Sequence, residues 1–163
     1  MLSRSLTVTS TTPGGTITAP ATSPVAVDHG VATTITAAAT AGYTFTGWTV
    51  VTGSATIANA SALSTTATLT SGDAAVRANF TLNTYQLTVT STTGGTITAP
   101  PSSPVTVDHG AATTITVVAT AGYTFTGWTV VSGSGVSIAT PSALSTTVTL
   151  TSGDAAVQAN FTL

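Results

Sequence analysis

The chain has 163 residues, a net charge of −2 and only six charged side chains (Arg4, Arg77, Asp28, Asp73, Asp108 and Asp154), 4% of the sequence against the roughly 25% usual for a soluble domain. Two scattered arginines and no lysine cannot neutralise a phosphate backbone, which argues against a nucleic-acid partner. Without cysteine there are no disulfides and no thiolate metal sites, and no apolar run approaches the roughly 18 residues of a membrane span.

In chain order, the opening "MLSRSLTVTSTTPGG" contains an arginine but no apolar h-region, so it does not read as a secretory signal peptide. From Leu6 the pattern is one of alternation. The same pattern is clearest in the second half, where Leu87 and Val89, Val105 and Val107, Val148 and Leu150, and Val157, Ala159, Phe161 and Leu163 fall on one face while Thr, Asp, Gln or Asn take the other. Period two with 42 threonines and 17 serines predicts half-buried strands rather than disorder. Gly94-Gly95 and Ser152-Gly153-Asp154 read as hairpin turns in which Gly supplies positive φ, and "DHG" at Asp28–Gly30 and Asp108–Gly110 marks a further turn. Pro20, Pro24, Pro100, Pro101 and Pro104 cluster in one connection, where they spare the ladders. No stretch reads as a helix.

The chain repeats itself. "LTVTSTTPGGTITAP" returns as "LTVTSTTGGTITAP" with Pro13 as the only insertion, and from Gly14–Gly53 to Gly94–Gly133 the two copies agree at 33 of 40 positions. "SALSTTATLTSGDAAVRANFTL" returns as "SALSTTVTLTSGDAAVQANFTL" at the C-terminus. Two domains follow, residues 1–82 and 83–163, with repeat cores at 6–82 and 87–163. Only "NTYQ", Asn83 to Gln86, lies between them. So short a linker, without Gly or Pro, predicts a fixed relation between modules and not a flexible tether. The expected fold is all-β: two tandem small β-sandwich or β-grasp-like modules of about six strands each.

Eight of the nine aromatics form repeat-equivalent pairs: Tyr43 with Tyr123, Phe45 with Phe125, Trp48 with Trp128, and Phe80 with Phe161. In a module with few large side chains these are the expected centre of each core. Ala37, Ala38 and Ala67 become Val117, Val118 and Val148. The added β-branched bulk predicts a more stable second module.

The order of "LTVTSTTGGTITAP", "VTVDHGAATTITVVATAGYTFTGW" and "AAVQANFTL" resembles the divergent InlB B-repeat, also called the bacterial surface repeat domain. The GYxFxGW element and the terminal ANFT carry the resemblance, which covers nearly all of both modules. It implies small all-β or β-grasp-like modules strung in tandem in secreted or cell-surface proteins, acting as stalks, spacers or adhesive segments, with no catalytic residues to carry over.

Candidate chemistry is sparse. His29 and His109, each flanked by Asp and Gly, form either a metal or acid/base pair or the polar tip of a turn. One His and one Asp per turn are too few for a zinc site unless copies meet. Asp28 with Asp73, and Asp108 with Asp154, would have to act as a glycosidase pair, but all four sit in turn signatures where Asp bonds its own backbone. Trp48 and Trp128 are either core residues or a sugar-stacking platform. Asn59, Asn79 and Asn160 lie in N-x-S/T sequons, candidate glycan acceptors. No enzyme activity, cofactor or metal is expected.

Three functions remain. The first is a non-catalytic structural or adhesive repeat of a bacterial extracellular surface protein. The second is a subunit of a self-assembled extracellular fibre or virion coat, held by noncovalent edge-strand contacts because edges here lack the usual Lys. The third is a glycan-binding module. The corresponding partners are other copies of the chain, or surface glycans and proteins.

Overall fold

The computed structural model describes residues 3–163; Met1 and Leu2, the first letters of the segment read for a signal, lie outside the described residues. It is all-β: β1 (Ser3–Ser10), β2 (Gly15–Ala19), β3 (Val25–Asp28), β4 (Ala32–Ala39), β5 (Tyr43–Ile57), β6 (Ser64–Leu82), β7 (Thr84–Ser91), β8 (Gly95–Ala99), β9 (Val105–Asp108), β10 (Ala112–Ala119), β11 (Thr124–Ser132), β12 (Val136–Ile138), β13 (Ser145–Leu150) and β14 (Ala155–Thr162). Two compact units divide the chain, Met1–Leu82 and Asn83–Leu163. Of the segment read as a linker, Thr84, Tyr85 and Gln86 belong to β7, so Asn83 alone stands between two strands.

In the second unit the strands form two four-stranded sheets, β12-β13-β10-β8 and β11-β14-β7-β9. In the first unit the same path runs as β2-β4-β6-β1-β3 with β5 on β6, because β5 and β6 are long enough to serve both sheets. The N-terminal half of β6 pairs with β4 through Ser64–Thr68 and its C-terminal half with β1 through Ala74–Ala78. This is why one unit has six strands and its repeat has eight.

Each unit closes on one core. Leu6, Val8 and Val76 meet Ile35, Ala67 and Leu69 across the folded sheet of the first unit, and Leu87, Val89 and Val157 from one sheet meet Ile115, Val148 and Leu150 from the other in the repeat. Alternation puts the threonines outside. Along β7 the burial runs exposed, intermediate, exposed, buried, intermediate, buried over Thr84–Val89, the half-buried pattern expected of a two-layer sandwich.

The three turn signatures are not hairpins. β7 and β8, on either side of Gly94-Gly95, lie in different sheets; so do β9 and β10 around the DHG turn, and β13 and β14 around Ser152-Gly153-Asp154. Each signature is a corner at which the chain crosses from one sheet to the other. Gly30 and Gly110 are left-handed there, with φ of 77° and 74°. Gly14, Gly15 and Gly95 lie outside that region and are needed for space instead: a Cβ on Gly95 would come within 2.1 Å of Phe161 Cε2, and one on Gly15 within 2.4 Å of Phe80 Cζ. The long antiparallel hairpin is elsewhere, β5 to β6, with Tyr43 opposite Leu82 and Ile57 opposite Ala67.

The feature that organises each module is a parallel pair. β1 runs alongside the last strand in the same direction, Leu6 beside Ala74 and Ser10 beside Ala78, and β7 does the same with Leu87 beside Ala155 and Ser91 beside Ala159. The first strand is therefore central, with β3 or β9 on its other side.

Candidate functional site

No group of three or more His, Asp or Glu side chains among the described residues could hold a metal ion. The side chains in repeated, long-range contact instead surround the slot that holds each module's first strand. β3 pairs only with the start of β1, Ser3–Leu6. Beyond it the Ser23 hydroxyl stands in for a strand carbonyl and accepts from the Val8 N–H at 2.7 Å; Ser103 does the same for Val89 at 2.7 Å.

On the other flank, the Asp73 carboxylate accepts the Ser5 N–H at 2.8 Å, and Asp154 accepts the Gln86 N–H at 2.8 Å. Their local signature suggested bonds within their own turns; instead Asp73 lies within β6 and Asp154 immediately before β14, and each reaches a backbone donor 68 residues away. At the far end of the strand Thr11 N–H donates to the Ala78 carbonyl while the Thr11 hydroxyl accepts from Phe80 N–H. Thr92 repeats both contacts with Ala159 and Phe161. Ser10 and Ser91 hydroxyls close the corner onto the Gly15 and Gly95 carbonyls.

The GYxFxGW element is the second repeated constellation. A bulge falls between Phe45 and Gly47, and between Phe125 and Gly127, with Gly47 and Gly127 at φ of 133° and 136°. The bulge turns the tryptophan inward. Trp48 and Trp128 are each 3% exposed, their indole N–H groups donate to the Ala62 and Ala143 carbonyls at 3.0 Å, and their backbone N–H groups to the Ala60 and Pro141 carbonyls. Each tryptophan thus pins the loop before β6 or β13. Phe45 and Phe125 pack edge-on against the tryptophan, with centroids 6.0 Å apart, and stand 5.4 Å from Phe80 and Phe161. Tyr43, Phe45, Tyr123, Phe125 and Phe161 are half-buried, and Phe80 is buried. Tyr43 and Tyr123 cover Gly14 and Gly94.

The three sequon asparagines differ. Asn79 Nδ2 donates to the Gly47 carbonyl, the Thr49 hydroxyl and the Arg77 carbonyl, and Asn160 makes the same set with Gly127, Thr129 and Gln158. Both brace the bulge. Asn59 sits exposed in the loop before β6, where its Oδ1 accepts from Ser61 N–H.

The histidines stand at the DHG corners without a carboxylate cluster. His29 Nε2–H donates to the Thr70 carbonyl at 2.9 Å. His109 Nδ1 lies 3.3 Å from the Tyr85 hydroxyl, with the rings 6.0 Å apart. Tyr85, the unpaired ninth aromatic, occupies the position that Arg4 holds in the first module. A groove of about 390 Å³ is lined by Gly127, Trp128, Pro141 and Asn160, with Trp128 itself buried.

The roles of Asp73, Asp154, Ser23 and Ser103 have no local signal in the sequence, since their partners are 15 or 68 residues distant in one copy and 14 or 68 in the other. Their one trace is recurrence in both copies of the repeat.

Compared with known proteins, the chain matches the family model described as the divergent InlB B-repeat domain twice, over residues 5–84 and 85–163. No curated protein matches it, and no solved structure does.

Proposed function

The chain belongs to the divergent InlB B-repeat domain family, and from that premise we propose that it is a non-catalytic spacer, two modules of a bacterial extracellular surface protein that hold other parts away from the surface. One observation carries this reading: the first and last strands of a module are parallel neighbours. A chain that begins and ends on parallel strands comes in at one end of the module and leaves at the other. From Thr84 to Leu87 is three residues, Leu87 is level with Ala155, and Thr162 is seven residues further; at ~3.3 Å per residue the chain advances about 33 Å through the module. Antiparallel end strands would return the chain to its starting end and gain no length.

The rest of the module suits the same role. Repeated side-chain contacts secure the two end strands and the Trp-anchored loop. The outer faces carry hydroxyls, and no charge cluster among the described residues demands a charged partner. The burial of Trp48 and Trp128 argues against a sugar-stacking platform built on them.

The test is the length of arrays. Chains carrying two, four and six copies of residues 83–163, measured by small-angle X-ray scattering, should increase in maximum dimension by a constant step of about 30–40 Å per module. Growth of all three dimensions at once, as in a ball of modules, would contradict the spacer reading.

A further inference from the structure

We propose that the first strand is an exchangeable part: the slot between β3 and β6, and its repeat between β9 and β14, accepts the first strand of a second copy of this chain in place of its own. The inference rests on the identity of both strand and slot. Leu6–Thr12 and Leu87–Thr93 have the same seven residues, LTVTSTT. They bury the same side chains, Leu6 and Val8 against Leu87 and Val89. The groups that receive them are also the same: Ser23 and Ser103 for Val8 and Val89 N–H, and the Ala78 and Ala159 carbonyls for Thr11 and Thr92 N–H, with Asp73 and Asp154 holding the backbone N–H of the residue just before each segment, Ser5 and Gln86. The two slots differ ahead of these residues, where Tyr85 and Gln86 reach His109 and Thr106 and Ser3–Ser5 pair with Ala26–Asp28; along Leu6–Thr12 and Leu87–Thr93 a slot does not distinguish its own strand from another copy's.

Exchange therefore keeps the hydrogen bonds and buried contacts of the strand within its slot, and hinge geometry and concentration decide between the closed and exchanged forms. The central position of the strand matters here. A module that has lost it exposes pairing groups on two flanks, with no lysine anywhere in the chain to guard them, so a vacated slot is filled by the nearest matching strand. Each exchange joins two chains without a covalent bond, consistent with a sequence that has neither cysteine nor lysine.

Two measurements on the full chain test this. In the first, Leu6→Asp with Val8→Asp removes the buried side chains of β1, and a labelled synthetic peptide with the sequence of residues 3–12 is added. One peptide should bind per chain and restore the first module's melting transition, while a peptide carrying the same two aspartates should not bind. In the second, natural and isotope-labelled unaltered chains are unfolded together, refolded at high concentration and weighed by native mass spectrometry. Mixed dimers that persist on dilution are expected. Failure of the peptide to bind the variant, or refolding to monomers alone at every concentration, would overturn the proposal.

Discussion

Asp154 accepts the Gln86 backbone N–H at 2.8 Å, tying the corner before the last strand of the second module to the start of its first, 68 residues away. Asp73 and Ser5 make the same bond at the same length in the first module. The bond fixes where the parallel pair begins. A hydrogen bond to a carboxylate contributes ~1.5–3 kcal/mol when sheltered, and the exposure of Asp154 brings this toward the lower end. Asp154→Ala should lower the melting temperature of the second module by about 4–8 °C, and Asp154→Asn, which keeps an acceptor, by less than half of that. Equal losses from both variants in differential scanning calorimetry would show that the side-chain acceptor is not what matters.

The tryptophans should behave as buried anchors. Native emission is expected to be blue-shifted from that of the unfolded chain and weakly quenched by acrylamide. Trp128→Phe removes the bond to the Ala143 carbonyl together with part of the core, and a cost of about 2–3 kcal/mol is expected in urea unfolding. Emission at the unfolded position in the native protein would contradict the burial.

Glycine substitutions should separate two kinds of glycine. Gly95→Ala drives a Cβ against the Phe161 ring, at 2.1 Å and 2.4 Å from two of its carbons, and should cost about 1–3 kcal/mol through overpacking. Gly110→Ala meets no atom within 4 Å but holds φ at +74°, so backbone strain alone should cost about 1 kcal/mol. Restoring room with Phe161→Leu should rescue the Gly95 variant and leave the Gly110 variant unchanged.

The second module should melt above the first. Val117 and Val148 are buried where the first module has buried Ala37 and Ala67, whereas Val118 is exposed, as is Ala38. Only two of the three replacements therefore add core, at ~0.8 kcal/mol per buried methylene. Ala37→Val with Ala67→Val in the full chain should raise the lower transition toward the higher one; a fall would mean that the first module has no room for them.

The sequence made the strands legible but not their partners. Alternation at Leu87, Val89, Val157 and Ala159 identified faces that the structure buries, and the strong repeat of GYxFxGW marked the aromatic cluster. Turn chemistry at Gly94-Gly95, Asp108–Gly110 and Ser152–Asp154 showed where the chain bends, yet a bend into the same sheet and a bend into the opposite one use the same residues. The hairpin reading failed for that reason. The parallel pairing of β7 with β14 joins residues at the two ends of the module, beyond the reach of any local pattern, and the part played by Asp154 was hidden with it. Of the glycine pair, Gly94 does hold a positive φ, at 106°, while the need for room beside Tyr123 and Phe161 leaves no local signal.

The claim on which the spacer account depends is that a module's two chain ends lie at opposite poles. Because the chain has no cysteine, Thr84→Cys with Thr162→Cys, both at exposed positions, gives two unique spin labels in the second module. Pulsed electron–electron double resonance should return a single distance distribution centred near 30–40 Å, the span of about ten extended residues plus the labels. A distribution centred below about 20 Å, less than six extended residues, would place both ends on one side of the module and contradict the account.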